Sequence, residues 1–252
     1  MAHHTNPKSV SKDIFIFGRH PIELALQNKR RKVLEIYYVK ECDLPTKALL
    51  GAVPTRSVAR DYLDNLVGRE ALHQGLVARC KPLDQQPVDD LIKHLEKADS
   101  ATVMILDQIT DPHNIGAILR SAVAFDAAAV FVPESGAPEE SGVLAKSASG
   151  ALELIPFIRV ANLARLMDKL KKAGFWCIGL DGYADKSIAA TKLPQKSAFV
   201  MGSEGNGMRR LTQENCDYCV KLPINPTIES LNVSNAAALT LYEFRRQHPA
   251  RT

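Results

Sequence analysis

No uninterrupted apolar run in the 252 residues approaches the ~18 that a membrane-spanning helix needs. The opening stretch M-A-H-H-T-N-P-K-S-V has no apolar core, so it lacks the form of a secretory signal. The expectation is a cytoplasmic protein with no membrane partner. Cysteine is sparse. Cys42, Cys80, Cys177, Cys216 and Cys219 are odd in number and widely scattered, which argues against a disulfide framework. Cys216 and Cys219 have the spacing of half a zinc site, but no second pair or paired histidines complete it. A structural role is expected for them, and no metal. The ordered dinucleotide fingerprint is missing too. The run Gly202-Ser203-Glu204-Gly205-Asn206-Gly207 reads G-x-x-G-x-G, and its carboxylate would repel a pyrophosphate. That weighs against a nucleotide-dependent oxidoreductase. Charge is not extreme either: the net charge is +4 and the pI about 8.7, as in many proteins with no nucleic-acid partner.

Hydrophobic residues make up 46% of the chain, which fits a globular protein of one large domain or two smaller ones. Residues 1–12 are polar and aperiodic, and are expected to be a disordered tail. Residues 13–80 read as a small α/β domain. Strands are expected over 14–17, 33–39 and 74–79, and helical segments after Pro21, over 44–50 and over 55–66. Residues 81–100 contain Pro82, Pro87 and an acidic pair and read as a linker, with one or two helical turns over 91–95 and a structured connection as the alternative. Residues 101–252 alternate strands (102–106, 128–132, 151–155, 175–180, 198–201, 219–224) with helical patterns, the signature of a mostly parallel sheet.

Positive charge is uneven. Residues 1–40 carry eight Lys or Arg against three acids. Arg19 and the cluster Lys29-Arg30-Arg31-Lys32 are candidates for a phosphate backbone. A solvated helix end would look the same.

Three stretches at expected strand ends stand out: D-P-H-N-I-G-A-I-L-R-S-A at 111–122, V-M-G-S-E-G-N-G-M at 200–208, and the segment 221–244, which carries S-L-N-V-S. Loops at the carboxyl ends of parallel strands form one crevice in an open α/β sheet. In the first stretch, Ile115, Ile118, Leu119, Ala122 and Phe125 make a core-facing stripe. Arg120 falls opposite it, with Gly116 leaving space alongside. Arg120 is therefore either plain surface or faces a ligand. In the third stretch Ser230 and Asn232 open a helix, and two local caps would account for them.

In order and near spacing, these stretches resemble the SpoU family of RNA ribose 2'-O-methyltransferases, a branch of the knotted SPOUT superfamily. The match rests on Asn114, Gly116, Arg120, Gly202, Glu204, Gly205, Gly207, Ser230, Leu231, Asn232 and Ser234, and it spans 101–246. The pieces F-G-R-H-P-I-E-L-A-L and H-Q-G-L-V-A-R resemble the ribosomal-protein-like RNA-binding domain of some members. The resemblance implies an α/β fold with a C-terminal trefoil knot, made by threading about 222–246 through an earlier loop. It implies S-adenosylmethionine as cofactor, held mainly by the backbone at Gly202, Leu222 and Leu231. Asn114, Arg120, Glu204, Ser230 and Asn232 would line the reacting centre. It also implies a homodimer that methylates RNA. The added N-terminal domain points to the branch acting on a guanosine of large-subunit rRNA. A tRNA guanosine enzyme, a resistance enzyme acting on an rRNA adenosine, and a non-catalytic ribosome-assembly protein are the alternatives.

Overall fold

The computed structural model describes residues 13–40 and 42–249, so the expected tail over 1–12 lies outside the described residues. The chain divides into two units, residues 13–84 with 140–142, and residues 85–139 with 143–249.

The first unit runs β1 (Ile14–Phe17), α1 (Arg19–Gln27), β2 (Val33–Tyr38), α2 (Lys47–Leu50), β3 (Thr55–Ser57), α3 (Arg60–Val67) and β4 (Leu76–Cys80). Its four-stranded sheet has the order β1-β4-β2-β3. β4 is antiparallel to both neighbours and β3 is parallel to β2. Phe17, Tyr37, Val39, Leu63 and Val77 form its core. The helix expected over 55–66 is instead a strand followed by a helix. The edge of β2 wins the backbone: Ile36 donates to the Pro54 carbonyl at 2.9 Å and Val58 to the Tyr38 carbonyl at 2.8 Å. A partner strand overrides a local helical spacing in this way. The buried His73 fixes the turn into β4, with Nε2 3.0 Å from Asp64 Oδ1 and Nδ1 accepting from the Gly75 N–H at 3.0 Å.

The second unit runs α4 (Val88–Glu96), β5 (Ala101–Leu106), α5 (Pro112–Ala124), β6 (Ala129–Pro133), α6 (Gly142–Ser147), β7 (Phe157–Val160), α7 (Leu163–Lys172), β8 (Trp176–Leu180), β9 (Lys196–Met201), α8 (Arg210–Glu214), β10 (Tyr218–Val220) and α9 (Val233–Gln247). Its six strands lie in the order β10-β8-β9-β5-β6-β7, and every pair is parallel. Leu91 and Ile92 of α4 and Leu166, Met167 and Leu170 of α7 bury one face against Val103, Phe131 and Ile158. On α9, Phe244 meets Phe199 of β9 edge-on at 6.0 Å, and α9 packs along α5. A sheet covered on both sides explains strands that are apolar almost throughout.

Three expectations change here. Over residues 81–100 the structured alternative replaces the linker, because α4 starts after Pro87 and buries Leu91, Ile92 and Leu95. Ala151–Glu153 is a 3₁₀ turn rather than a strand, and the strand starts past Pro156 at Phe157. The last strand stops at Val220, where its partner β8 ends at Leu180. Among the described residues no helix is long and apolar enough to cross a membrane.

The chain leaves β5 outward to β6 and β7, then crosses back to β8 and β9. The direction of travel reverses beside β5, and a crevice at the carboxyl ends is expected there.

Candidate functional site

A cleft of about 410 Å³ opens at the ends of β8 and β9. Its floor is the loop 202–208. A Cβ built on Gly202 would lie 2.0 Å from the Gly207 carbonyl carbon and 2.2 Å from the Met208 nitrogen, so no side chain fits. Ser203 and Gly207 exchange backbone hydrogen bonds at 3.1 and 2.9 Å, closing the loop on itself. Beneath it sits Asp107, fully buried. Its carboxylate accepts from the Arg209 backbone N–H at 2.9 Å and from Arg209 Nε at 2.7 Å, with Nη2 also at 2.7 Å. This forked pair ties the end of β5 to the far end of the loop. Sequence reasoning missed it. The available signal was an aspartate directly following an apolar strand.

One wall is the segment between β10 and α9. Leu222, Glu229, Ser230 and Leu231 line the cleft, and residues 223–230 are exposed. Asn232 is the N-cap of α9, its Oδ1 accepting from the Ser234 N–H at 2.9 Å. The capping reading of Asn232 is therefore right, but it is incomplete, because Asn232 Nδ2 also donates to Asn114 Oδ1 at 3.0 Å. Ser230 does not cap. Glu204 Oε1 accepts from the Val233 N–H at 2.9 Å, so a carboxylate sits at the helix N-terminus, where the dipole favours it.

The opposite wall is the loop after β8. Asp181 Oδ1 accepts from the Tyr183 N–H at 2.9 Å and Oδ2 from Gln213 Nε2 at 2.8 Å. Asp181 and Tyr183 were missed as site residues, since a polar loop after a strand has no distinguishing pattern. Among the described residues the cleft lining thus carries Asp181, Glu204 and Glu229, and no Lys, Arg or His.

Of the residues singled out from sequence, Gly202, Glu204, Leu222, Ser230 and Leu231 line the cleft. Asn114 and Asn232 meet through their hydrogen bond. Arg120 does not line the cleft. It is exposed on α5, about 9 Å further along the axis than Asn114 at the usual ~1.5 Å rise per residue. Among the described residues it has no hydrogen-bond or ion-pair partner. The space expected beside Gly116 is filled: a Cβ there would lie 2.4 Å from Ser147 Cβ and 2.7 Å from the Ala148 nitrogen.

In the first unit Arg19 is exposed and pairs with Glu23 at 2.8 Å and Asp43 at 3.7 Å. Lys29, Arg30 and Lys32 are exposed. Arg31 is a correction to the RNA-contact set. It is buried, donates to the Lys81 carbonyl at 2.8 Å and pairs with Glu140 of the same unit, so its guanidinium is used inside the fold.

The thiols of Cys216 and Cys219 crowd Gly179, 3.1 and 2.7 Å from where its Cβ would lie. Burial pushes all three neighbouring thiols up, Cys177 to about 12. Among the described residues no group of three or more His, Cys, Asp or Glu is placed to hold a metal ion.

A family model described as the SpoU rRNA Methylase family matches residues 101–242. A second, described as RNA 2'-O ribose methyltransferase substrate binding, matches residues 15–86. The 23S rRNA (guanosine-2'-O-)-methyltransferase RlmB of Vibrio vulnificus is 39% identical over 242 residues, covering 94% of this chain and 98% of its own. The RlmB of Escherichia coli is 39% identical over 238 residues, covering 92% and 98%. Among solved structures, the SpoU methyltransferase AviRb from Streptomyces viridochromogenes, in complex with AdoMet, matches with a TM-score of 0.79. It is 26% identical, with 95% of this chain and 92% of that one covered. The methylase model spans more than half of the sequence, and the curated relatives align almost end to end. The chain therefore belongs to the SpoU rRNA methylase family.

Proposed function

We propose that this protein transfers the methyl group of S-adenosylmethionine to a ribose 2'-oxygen of RNA, and that its target is a guanosine of large-subunit rRNA. The carrying observation is the sign of the cleft. Among the described residues, three carboxylates and no cationic side chain line it. Such a lining repels a pyrophosphate and attracts a ligand with positive groups. S-adenosylmethionine carries a sulfonium and an ammonium, and no phosphate. The volume of about 410 Å³ lies within the ~300–1,000 Å³ of small-molecule sites. Leu222 and Leu231 offer an apolar wall for the adenine, and the backbone at Gly202 offers the floor. The choice of rRNA and guanosine follows the curated relatives.

When bound, the cofactor supplies an electrophilic methyl group. The residues of this chain do the positioning. Asn232, fixed by Asn114 and by its own cap bonds, and Ser230, with no protein partner among the described residues, present polar groups to the ribose. Glu204 holds the start of α9. Arg120, exposed on α5 outside the cleft, grips an RNA phosphate through its fork of donors. It is not the base, since a guanidinium hardly ever deprotonates. Arg19, Lys29, Arg30 and Lys32 hold RNA on the first unit, which raises its local concentration near the cleft.

The same reading includes a C-terminal trefoil knot over about 222–246. In its support, the Lys221 N–H donates to the Lys186 carbonyl and the Ile188 N–H to the Lys221 carbonyl, each at 2.9 Å. The chain leaving β10 is thus tied to the loop after β8 before α9 begins. It also includes a homodimer, supported by Leu239 and Tyr242 of α9, which are 47% and 53% exposed. The reading also takes the cytoplasm as the site of action, with the rRNA that the curated relatives act on.

The test is methyl transfer from labelled S-adenosylmethionine to deproteinised large-subunit rRNA and to total tRNA, each from cells lacking this protein. Label at one guanosine ribose of rRNA is the expected result. Label in tRNA alone overturns the target, and no cofactor binding in calorimetry overturns the activity.

A further inference from the structure

The basic cluster at 29–32 is partly consumed by the fold. Arg31 is buried, and Arg30 Nη2 donates to the Asp84 carbonyl at 3.1 Å. Another composite stands at the far edge of the same sheet. β3 is the edge strand, and all three of its residues are exposed. Arg56, at its centre, has its Cζ 5.7 Å from the ring centroid of Tyr62 on α3. Tyr62 rests in turn on Tyr37, with centroids 5.6 Å apart and planes tilted by 54°. Tyr37 is buried, and its hydroxyl donates to Glu35 at 2.7 Å. A core tyrosine thus fixes a surface tyrosine, which holds a guanidinium at the solvent boundary.

That arrangement leaves the guanidinium donors unspent. Stacking on an aromatic face orders an arginine without using its N–H groups. Among the described residues neither Arg56 nor Arg60, the first residue of α3, has a hydrogen-bond or ion-pair partner. Of the nearby acids on α3, Asp64 is engaged by His73 and Asp61 is exposed. Two free guanidinium groups, one already ordered, complement a phosphate backbone. Tyr62, 38% exposed, adds a ring edge against which an unstacked base can lie.

We infer that Arg56, Arg60 and Tyr62 form a second RNA-docking surface of the first unit, beyond Arg19 and the 29–32 cluster, and grip the backbone of an unpaired segment of the substrate RNA. This rests on the reading above that the substrate is RNA. The ordering cost of the Arg56 side chain is met before binding, which strengthens each contact it makes.

The test uses the full-length protein and a large-subunit rRNA fragment, with binding measured over a salt series. Arg56→Glu with Arg60→Glu is expected to raise the Kd on the order of tenfold and to flatten the slope of log affinity against log salt by about 1 to 2. Lys29→Glu with Lys32→Glu is expected to shift the Kd less. Arg56→Lys keeps the charge but loses the stacked fork, and should fall between wild type and the double variant. Tyr62→Ala should weaken binding and Tyr62→Phe restore it. Cofactor binding in calorimetry should match wild type throughout, which reports an intact fold. Wild-type affinity and salt slope in the Arg56/Arg60 double variant, with wild-type protein still methylating rRNA, would overturn the docking surface and leave the activity standing. A wild-type protein that neither binds nor methylates RNA would overturn both.

Discussion

The floor of the cleft and the wall between β10 and α9 are built on opposite plans. The loop 202–208 is locked by a glycine with no room for a side chain, a closed backbone bridge and a buried aspartate below. The segment 221–232 is mostly exposed, and its internal order comes from one turn, where Asn225 Oδ1 accepts from the Thr227 N–H at 3.0 Å. They are joined at the start of α9 by the bond from Val233 to Glu204. The lesson is a division of labour. A preformed floor sets the position of a ligand at little cost on binding, while an open wall lets ligand and RNA enter.

The largest effect should come from breaking the floor. Gly202→Ala forces a Cβ into backbone, so cofactor binding should vanish in calorimetry, with stability down by about 3 kcal/mol. Next comes the brace below it. Arg209→Ala leaves the buried Asp107 carboxylate with a backbone N–H alone, and should cost about 2–4 kcal/mol in urea unfolding. A loss under 0.5 kcal/mol would show that the floor holds without its brace. The joint between the loops separates two roles of one residue. Asn232→Ala removes a cap and should cost about 1 kcal/mol. Asn232→Asp keeps the cap but replaces the amide that meets Asn114. It should stay within about 0.5 kcal/mol of wild type in stability, while methyl transfer falls at saturating cofactor. The smallest effect belongs to the open wall. Asn225→Ala should change stability by no more than about 0.5 kcal/mol, and its effect should appear as a raised KM for RNA. If Asn225→Ala unfolds the protein as readily as Arg209→Ala, the contrast between the loops is wrong.

Much of the second unit was readable in the chain. The apolar runs before 107 and 202, the stripe on α5 and the cap before α9 are local patterns, each written in neighbouring residues. Two of the three loops, 200–208 and 221–232, line the cleft, and they were readable together because every strand of a parallel sheet delivers its following loop to the same end. The 111–122 stretch reaches them through the bond between Asn114 and Asn232. The edge strand β3 was not readable. Thr55–Ser57 is extended only because β2 offers it hydrogen bonds. The burial of Arg31 was hidden as well, because a basic run looks the same whether its members meet solvent or a carboxylate.

By itself the sequence determined the elements with strong periodicity, part of the cleft lining (Gly202, Glu204, Leu222, Ser230 and Leu231) and the family. Tertiary structure alone decided the order of the strands, the pairing of Asp107 with Arg209 across 102 residues, the stack of Arg56 on Tyr62, and the gathering of Asp181, Glu204 and Glu229 into one negative lining. The physical reason is range. Periodicity and capping act within a few residues, whereas sheet order and the sign of a cleft depend on groups that meet only once the chain has closed on itself.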